Sequence, residues 1–216
     1  MLSRINEELE ELASAATHGL GLVASIVVLP MLVLFAVERG DGWTVIGATI
    51  FGVSLVTMYA ASTVYHALRP GPKKELWRRF DYAAIYFLIA GTYTPFSLGA
   101  LRGPWGWSLL ATVWIAAFIG IRDKLSLGPR MPALDTILYI ALGWLIVVAF
   151  EPLRARLGWA GISWLAAGGV IYTLGVIFFA CDSRLKLGHC VWHLFVLGGS
   201  ACHAVAVVQY GIGGWH

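Results

Sequence analysis

The chain has 216 residues, of which 59% are hydrophobic and 12% charged, with a mean hydropathy of +0.77. A water-soluble domain carries roughly a quarter charged residues, so this composition points to lipid as the main solvent. A net charge of +3 excludes strong electrostatic steering toward nucleic acid, and no nucleic-acid partner is expected.

In chain order, Leu2, Ile5, Leu9, Leu12 and Ala16 recur at helical spacing and predict a short amphipathic helix over residues 1–15, cytoplasmic and near the membrane surface. Its acids, Glu7, Glu8, Glu10 and Glu11, are the opposite of a basic signal-peptide n-region and argue against tight binding to anionic lipid. Nearly charge-free stretches follow at 17–37, 43–68, 82–101, 105–121, 131–150, 157–181 and 187–210. Each approaches the ~20 residues that carry an α-helix across a ~30 Å hydrocarbon core. The fourth is short, and the fifth reaches full length only by including Asp135. The ~10-residue alternation of a transmembrane barrel is absent. The reading is an all-α membrane protein: one domain over 1–216, a seven-transmembrane helix bundle in the cell (inner) membrane.

Punctuation fits this division. Gly40 to Gly42, Pro70 to Pro72, Gly103-Pro104 and Gly128-Pro129 fall between stretches. Pro30 and Pro95 fall inside them, where kinks are expected. Gly168, Gly169, Gly198 and Gly199 permit close helix packing. Trp43, Trp77, Trp105, Trp107, Trp159 and Trp164 suit an interfacial belt. Cys181, Cys190 and Cys202 are odd in number and imply no disulfide framework. Basic residues set the orientation. Eleven lie on the N-terminal side: Arg4, Arg69, Lys73, Lys74, Arg78, Arg79, Arg122, Lys124, Arg130, Arg184 and Lys186. Four lie opposite: Arg39, Arg102, Arg154 and Arg156. Short loops retain Lys and Arg in the cytoplasm, so the N-terminus is expected inside and the C-terminus outside.

Ionisable residues inside a membrane are expensive and each is a functional candidate. Ser62 and His66 stand one turn apart near the inner end of the second stretch. Asp81 opens the third, and His189 and His193 open the seventh. The parity of crossings puts all of them near one membrane face. Two histidines four apart share a helical face and can hold one metal ion. With His66 as a third nitrogen, the pattern is that of a catalytic zinc site with an open fourth position. Asp81 would bind the metal or act as general base, and Ser62 would donate to a developing oxyanion. The plain alternatives are interhelical hydrogen bonds for the histidines and a bond from Ser62 to the carbonyl four residues back. His18 is expected in a neighbouring polar cluster. His203, ~15 Å further along the seventh stretch, is expected to bond between helices or face a pocket. Asp135 and Asp182 are expected to pair with loop arginines such as Arg130 and Arg184. Cys190 points ~100° away from His189 and is not expected to be a ligand.

These residues resemble the hemolysin III family, the bacterial branch of the progestin and adipoQ receptor family, which is related to the alkaline ceramidases. The resemblance spans nearly the whole chain. It rests on Thr17-His18-Gly19, Ser62-x-x-x-His66, Phe80-Asp81-Tyr82, Gly91-Thr92-Tyr93-Thr94-Pro95 and His189-x-x-x-His193. It implies zinc held by His66, His189 and His193, with Asp81 orienting the zinc's water and Ser62 beside it. It also implies ceramidase-like hydrolysis of a lipid amide, with membrane lipids and a lipid-like substrate as partners and a link to membrane-lipid homeostasis. Two other readings stay open: a sensor or receptor in which zinc is a structural staple, and a cytolysin or transporter. A transporter would show repeat symmetry and charges at the bilayer midplane, whereas these crowd one face.

Overall fold

A computed structural model describes residues 2–181 and 185–212, and the expected Asp182–Arg184 pair lies outside them. The helices are α1 (Leu2–Arg39), α2 (Gly42–Ala67), α3 (Pro72–Leu98), α4 (Pro104–Leu127), α5 (Pro132–Gly143), α6 (Phe150–Ala180) and α7 (Gly188–Ala206). A 3₁₀ segment (Trp144–Ala149) joins α5 to α6, a π-helical turn (Val207–Gly211) extends α7, and no strand occurs among the described residues. Five helical runs, one of them the 49-residue stretch Pro132–Ala180, are long and apolar enough to cross a membrane.

Polarity in this bundle is turned inside out. Along α1, Leu20, Val23, Val27, Met31 and Leu34 are exposed, while Ser14, His18, Ser25, Leu32 and Ala36 are buried. Small and polar side chains thus face inward, where they find partners, and large apolar ones face outward, where hydrocarbon solvates them. α2 packs most extensively on α3 and α1, α6 on α7, and α1 also reaches α7. Glycines set the closest approaches: a Cβ on Gly91 would lie 2.2 Å from Ser54 Oγ, and one on Gly199 2.8 Å from the Tyr172 ring. Trp43, Trp105, Trp107 and Trp159 are exposed, as an interfacial belt requires.

Three expectations change. Residues 2–15 are no separate surface helix, because α1 runs without a break from Leu2 to Arg39. Leu9 and Leu12 are exposed, whereas Glu10 and Glu11 reach the bundle, against His189 and His66. Asp135 pairs with Lys124 rather than Arg130: Lys124 Nζ donates to its Oδ1 at 2.5 Å, and both residues are buried. Arg130 lies 3.8 Å from Asp123 instead. Two buried charges, three residues inside the end of α4 and the start of α5, neutralise each other more effectively than a solvated loop arginine could.

The long run from Pro132 to Ala180 is broken at Gly158, whose φ of 64° is left-handed and open to glycine without a Cβ penalty. Trp144 Nε1 donates to Thr173 Oγ1 at 3.0 Å. These partners lie nearly equal distances before and after Gly158, so the chain doubles back there, at the start of the sixth expected span. The 3₁₀ segment leaves helix carbonyls without their usual partners. Tyr93 from α3 supplies them: its hydroxyl reaches the Leu142 and Gly143 carbonyls at 2.9 Å and accepts from Ile146 N at 2.8 Å.

At the end of the bundle remote from the histidines, Asp41 caps α2, accepting from Thr44 N at 3.1 Å, and pairs with Arg102. Arg102, and then the Thr44 backbone, hold this carboxyl at about 2 against its ordinary 3.8. Because the folded value is depressed, its stabilisation is complete above pH 3.8 and is lost as the pH falls through about 2. In detergent, the thermal-midpoint gap between the native chain and Asp41→Asn should close over that window. A gap unchanged with pH would refute the ion pair.

Candidate metal centre

His66 enters from the last turn of α2, and His189 and His193 from the first turns of α7. One ligand atom from each lies within 4.8 Å of the others, so the cluster can hold a metal ion. Nitrogens on one tetrahedral zinc stand about 3.3 Å apart, so only small rotations are needed to close the set. The rings face one another obliquely, with centroids 4.8–4.9 Å apart and interplanar angles of 52–73°.

The protein grips the outer nitrogen of two of these rings. His66 Nδ1 donates to Glu11 Oε2 at 2.9 Å, and His66 Nε2 is buried without a hydrogen-bond partner among the described residues. His193 Nδ1 donates to the Ser14 carbonyl at 3.1 Å and stands 3.3 Å from Thr17 Oγ1. A ring whose Nδ1 carries the proton presents a bare Nε2, which is the metal-binding form. The buried, orphaned Nε2 of His66 is what a metal-ligand position leaves when its ion is removed, so these residues fit a metal.

Two acids of α1 carry this arrangement. Glu11 Oε2 also accepts from Lys74 Nζ at 2.8 Å, and Lys74 in turn donates to the carbonyls of Tyr65 and Leu68. Glu10 Oε1 accepts from the backbone N of His189 at 3.0 Å. That amide belongs to the first turn of α7, which has no side-chain cap of its own and begins at the left-handed Leu187. Sequence reasoning missed Glu10, Glu11, Ser14 and Thr17. Their signal was present, since Glu11, Ser14 and His18 follow each other at the 3- and 4-residue spacing of a single helical face.

His18 belongs to the polar cluster beside the three-histidine set. Its ring stacks on His193, with centroids 3.5 Å apart and planes 8° from parallel, and its Nδ1 lies 2.7 Å from Ser62 Oγ. Ser62 therefore bonds across helices, not back to its own carbonyl. Asp81 is within side-chain hydrogen-bonding reach of Ser62 and lines the same cavity. It does not belong to the mutually close metal-capable set. His203 lines this cavity too, the second of its two expected roles, and its Nδ1 bonds the Gly199 carbonyl of its own helix at 2.8 Å rather than another helix.

Two cavities meet at the histidines. An apolar one of about 200 Å³ runs along α2, α3, α5, α6 and α7, from His18, Ser62 and His193 to His203. A wider one of about 920 Å³ is bordered by Glu10, Glu11 and Ser14. Tyr65, Tyr82, Thr136, Phe179 and His189 line both.

A polytopic helical membrane protein with a buried three-histidine centre at one end is the class that this fold and site define. The sequence pattern of the haemolysin-III-related family matches residues 6–204, and the chain belongs to that family. It is 43% identical to the hemolysin-3 homolog of Bacillus subtilis (strain 168) over 93% of this chain and 94% of the relative. It is 45% identical to hemolysin-3 of Bacillus cereus over 93% and 91%. It is 28% identical to the human monocyte to macrophage differentiation factor over 93% and 84%, which links it to the wider receptor family.

Removing an outer-sphere carboxylate typically weakens metal binding 10–100-fold. Glu11→Gln should therefore weaken zinc binding by about tenfold or more in competition with a chromophoric chelator. Unchanged affinity would show that Glu11 merely anchors α1.

Proposed function

We propose that this protein is a zinc-dependent intramembrane hydrolase that cleaves an amide or ester of a lipid-like substrate. The observation that carries the reading is the placement of the three-histidine cluster, with Asp81 and Ser62, at the end of an apolar cavity. His66, His189 and His193 would hold the ion, and zinc in such a set would supply Lewis acidity and lower the pKa of water toward neutrality.

The chain's own residues do the rest. The apolar cavity takes the acyl chain and sets the scissile carbonyl beside Ser62. Asp81 takes a proton from the attacking water as the new C–O bond forms at the carbonyl carbon. His18 Nδ1–H donates to Ser62 Oγ, which frees the Ser62 hydroxyl to donate to the carbonyl oxygen as negative charge develops there. Asp81 returns its proton to the amine or alkoxide as the C–N or C–O bond breaks. The wider, acid-bordered cavity admits water and releases the polar product.

The topology that suits this chemistry has seven crossings, with α5 and its 3₁₀ extension as the fifth and the part of α6 after Gly158 as the sixth. The basic-residue bias supports an N-terminus inside, an inner-membrane location and a site near the cytoplasmic face. A role in membrane-lipid homeostasis follows from a lipid substrate. The competing reading is a sensor in which zinc staples α2 to α7. The exclusion of Asp81 from the close ligand set supports the hydrolase, because it leaves a coordination position open.

Protein purified in detergent should carry about one zinc per chain by mass spectrometry, and His189→Ala/His193→Ala should carry none. Asp81→Asn should retain zinc and lose lipid-amide hydrolysis by about 100-fold or more. Zinc without turnover on any amide or ester would favour the staple. No zinc in the native chain, even after reconstitution, would end both readings.

A further inference from the structure

We propose that His203 accepts a hydrogen bond from a hydroxyl carried along the acyl chain, so that the cavity selects hydroxylated acyl ligands. The proposal rests on the reading of the apolar cavity as an acyl-chain site and adds what that site recognises. His203 follows His193 by ten positions on α7, about 15 Å along the axis, and both line the one cavity. The wall between them includes Leu88, Ile89, Ile140, Val176 and Val196.

The state of the ring follows from its single hydrogen bond. A carbonyl can only accept, so the 2.8 Å contact with Gly199 O puts a proton on Nδ1, and in the neutral ring Nε2 is then an acceptor. Among the described residues Nε2 has no partner. Other polar groups at this depth are engaged within the bundle. Thr92 donates to Leu88 O, Tyr93 makes its three backbone bonds, Thr173 donates to Gly169 O, and Tyr172 bonds Ser200 Oγ.

The ring is also held in place. A Cβ on Gly168 would lie 2.4 Å from His203 Cε1 and Nδ1, so the glycine of α6 creates the slot that the imidazole fills. Tyr172 stacks on its face, with centroids 5.5 Å apart. A fixed acceptor in an apolar cavity is left unfavourably without a donor, and a ligand hydroxyl supplies one that a plain methylene, ketone or ether cannot. At ~1.2 Å per bond of extended chain, 15 Å places that hydroxyl about 12 bonds from the head group held at the metal centre.

The test measures binding of radiolabelled stearic acid, its analogue hydroxylated about 12 carbons from the carboxylate, and α-hydroxystearic acid to the zinc-loaded full-length protein. The mid-chain hydroxy acid should bind about fivefold more tightly than stearic acid, and the α-hydroxy acid should gain nothing through His203. In His203→Phe the ratio of mid-chain hydroxy acid to stearic acid binding should fall to about one, and His203→Gln, which keeps an acceptor, should retain part of the preference. Equal binding of stearic and mid-chain hydroxy acids by the native chain, or a preference that survives His203→Phe, would overturn the proposal and leave the acyl cavity intact. Failure of every acid to bind would overturn the acyl cavity itself, and this proposal with it.

Discussion

Imidazoles and carboxylates cannot be left facing hydrocarbon, and the way this chain satisfies them organises the rest of the fold. The central contact is between Glu11 and His66, which joins the first turns of α1 to the last turn of α2 and takes in Lys74 at the start of α3. One carboxylate thereby neutralises a lysine and sets the tautomer of an imidazole. Glu10 extends the arrangement to α7 through the amide of His189. Four helices meet at two adjacent acids.

This gives α1 a purpose that its apolar length alone does not require. A spanning helix needs ~20 residues, and α1 has 38. The extra turns bring Glu10, Glu11, Ser14 and Thr17 to the histidines as outer-sphere partners. A metal site built between helices depends on such partners, because a ring whose second nitrogen is not held rotates, populates the wrong tautomer and loses affinity. The stacking of His18 on His193 adds a further wall to the same compartment.

The compartment has two characters. Toward the bundle interior its walls are apolar, with polar groups engaged by helix carbonyls or by one another and His203 Nε2 as the exception. Toward Glu10 and Glu11 it is wide and acidic. Under the proposed hydrolase reading, a lipid-like molecule and water would reach one centre from different sides. Tyr93 contributes at a distance: by tying down the 3₁₀ segment it fixes the α5–α6 side of the apolar wall.

The sequence by itself determined the membrane class, most of the loops that separate the helices, and the histidines that gather. Span length and charge exclusion are local properties, so the expected stretches 131–150 and 157–181 divide close to the break at Gly158. The parity of crossings then brought His66, Asp81, His189 and His193 to one level without any knowledge of packing. Only the tertiary structure decided which way each helix is rotated about its axis. That rotation turned Glu10 and Glu11 of α1 toward the histidines, set Lys124 rather than Arg130 against Asp135, and linked Ser62 to His18. In lipid the outward face of a helix is as apolar as much of the inward one, so periodicity marks the azimuth weakly. It is settled by contacts such as that of Ser14 with His193, between residues 179 positions apart.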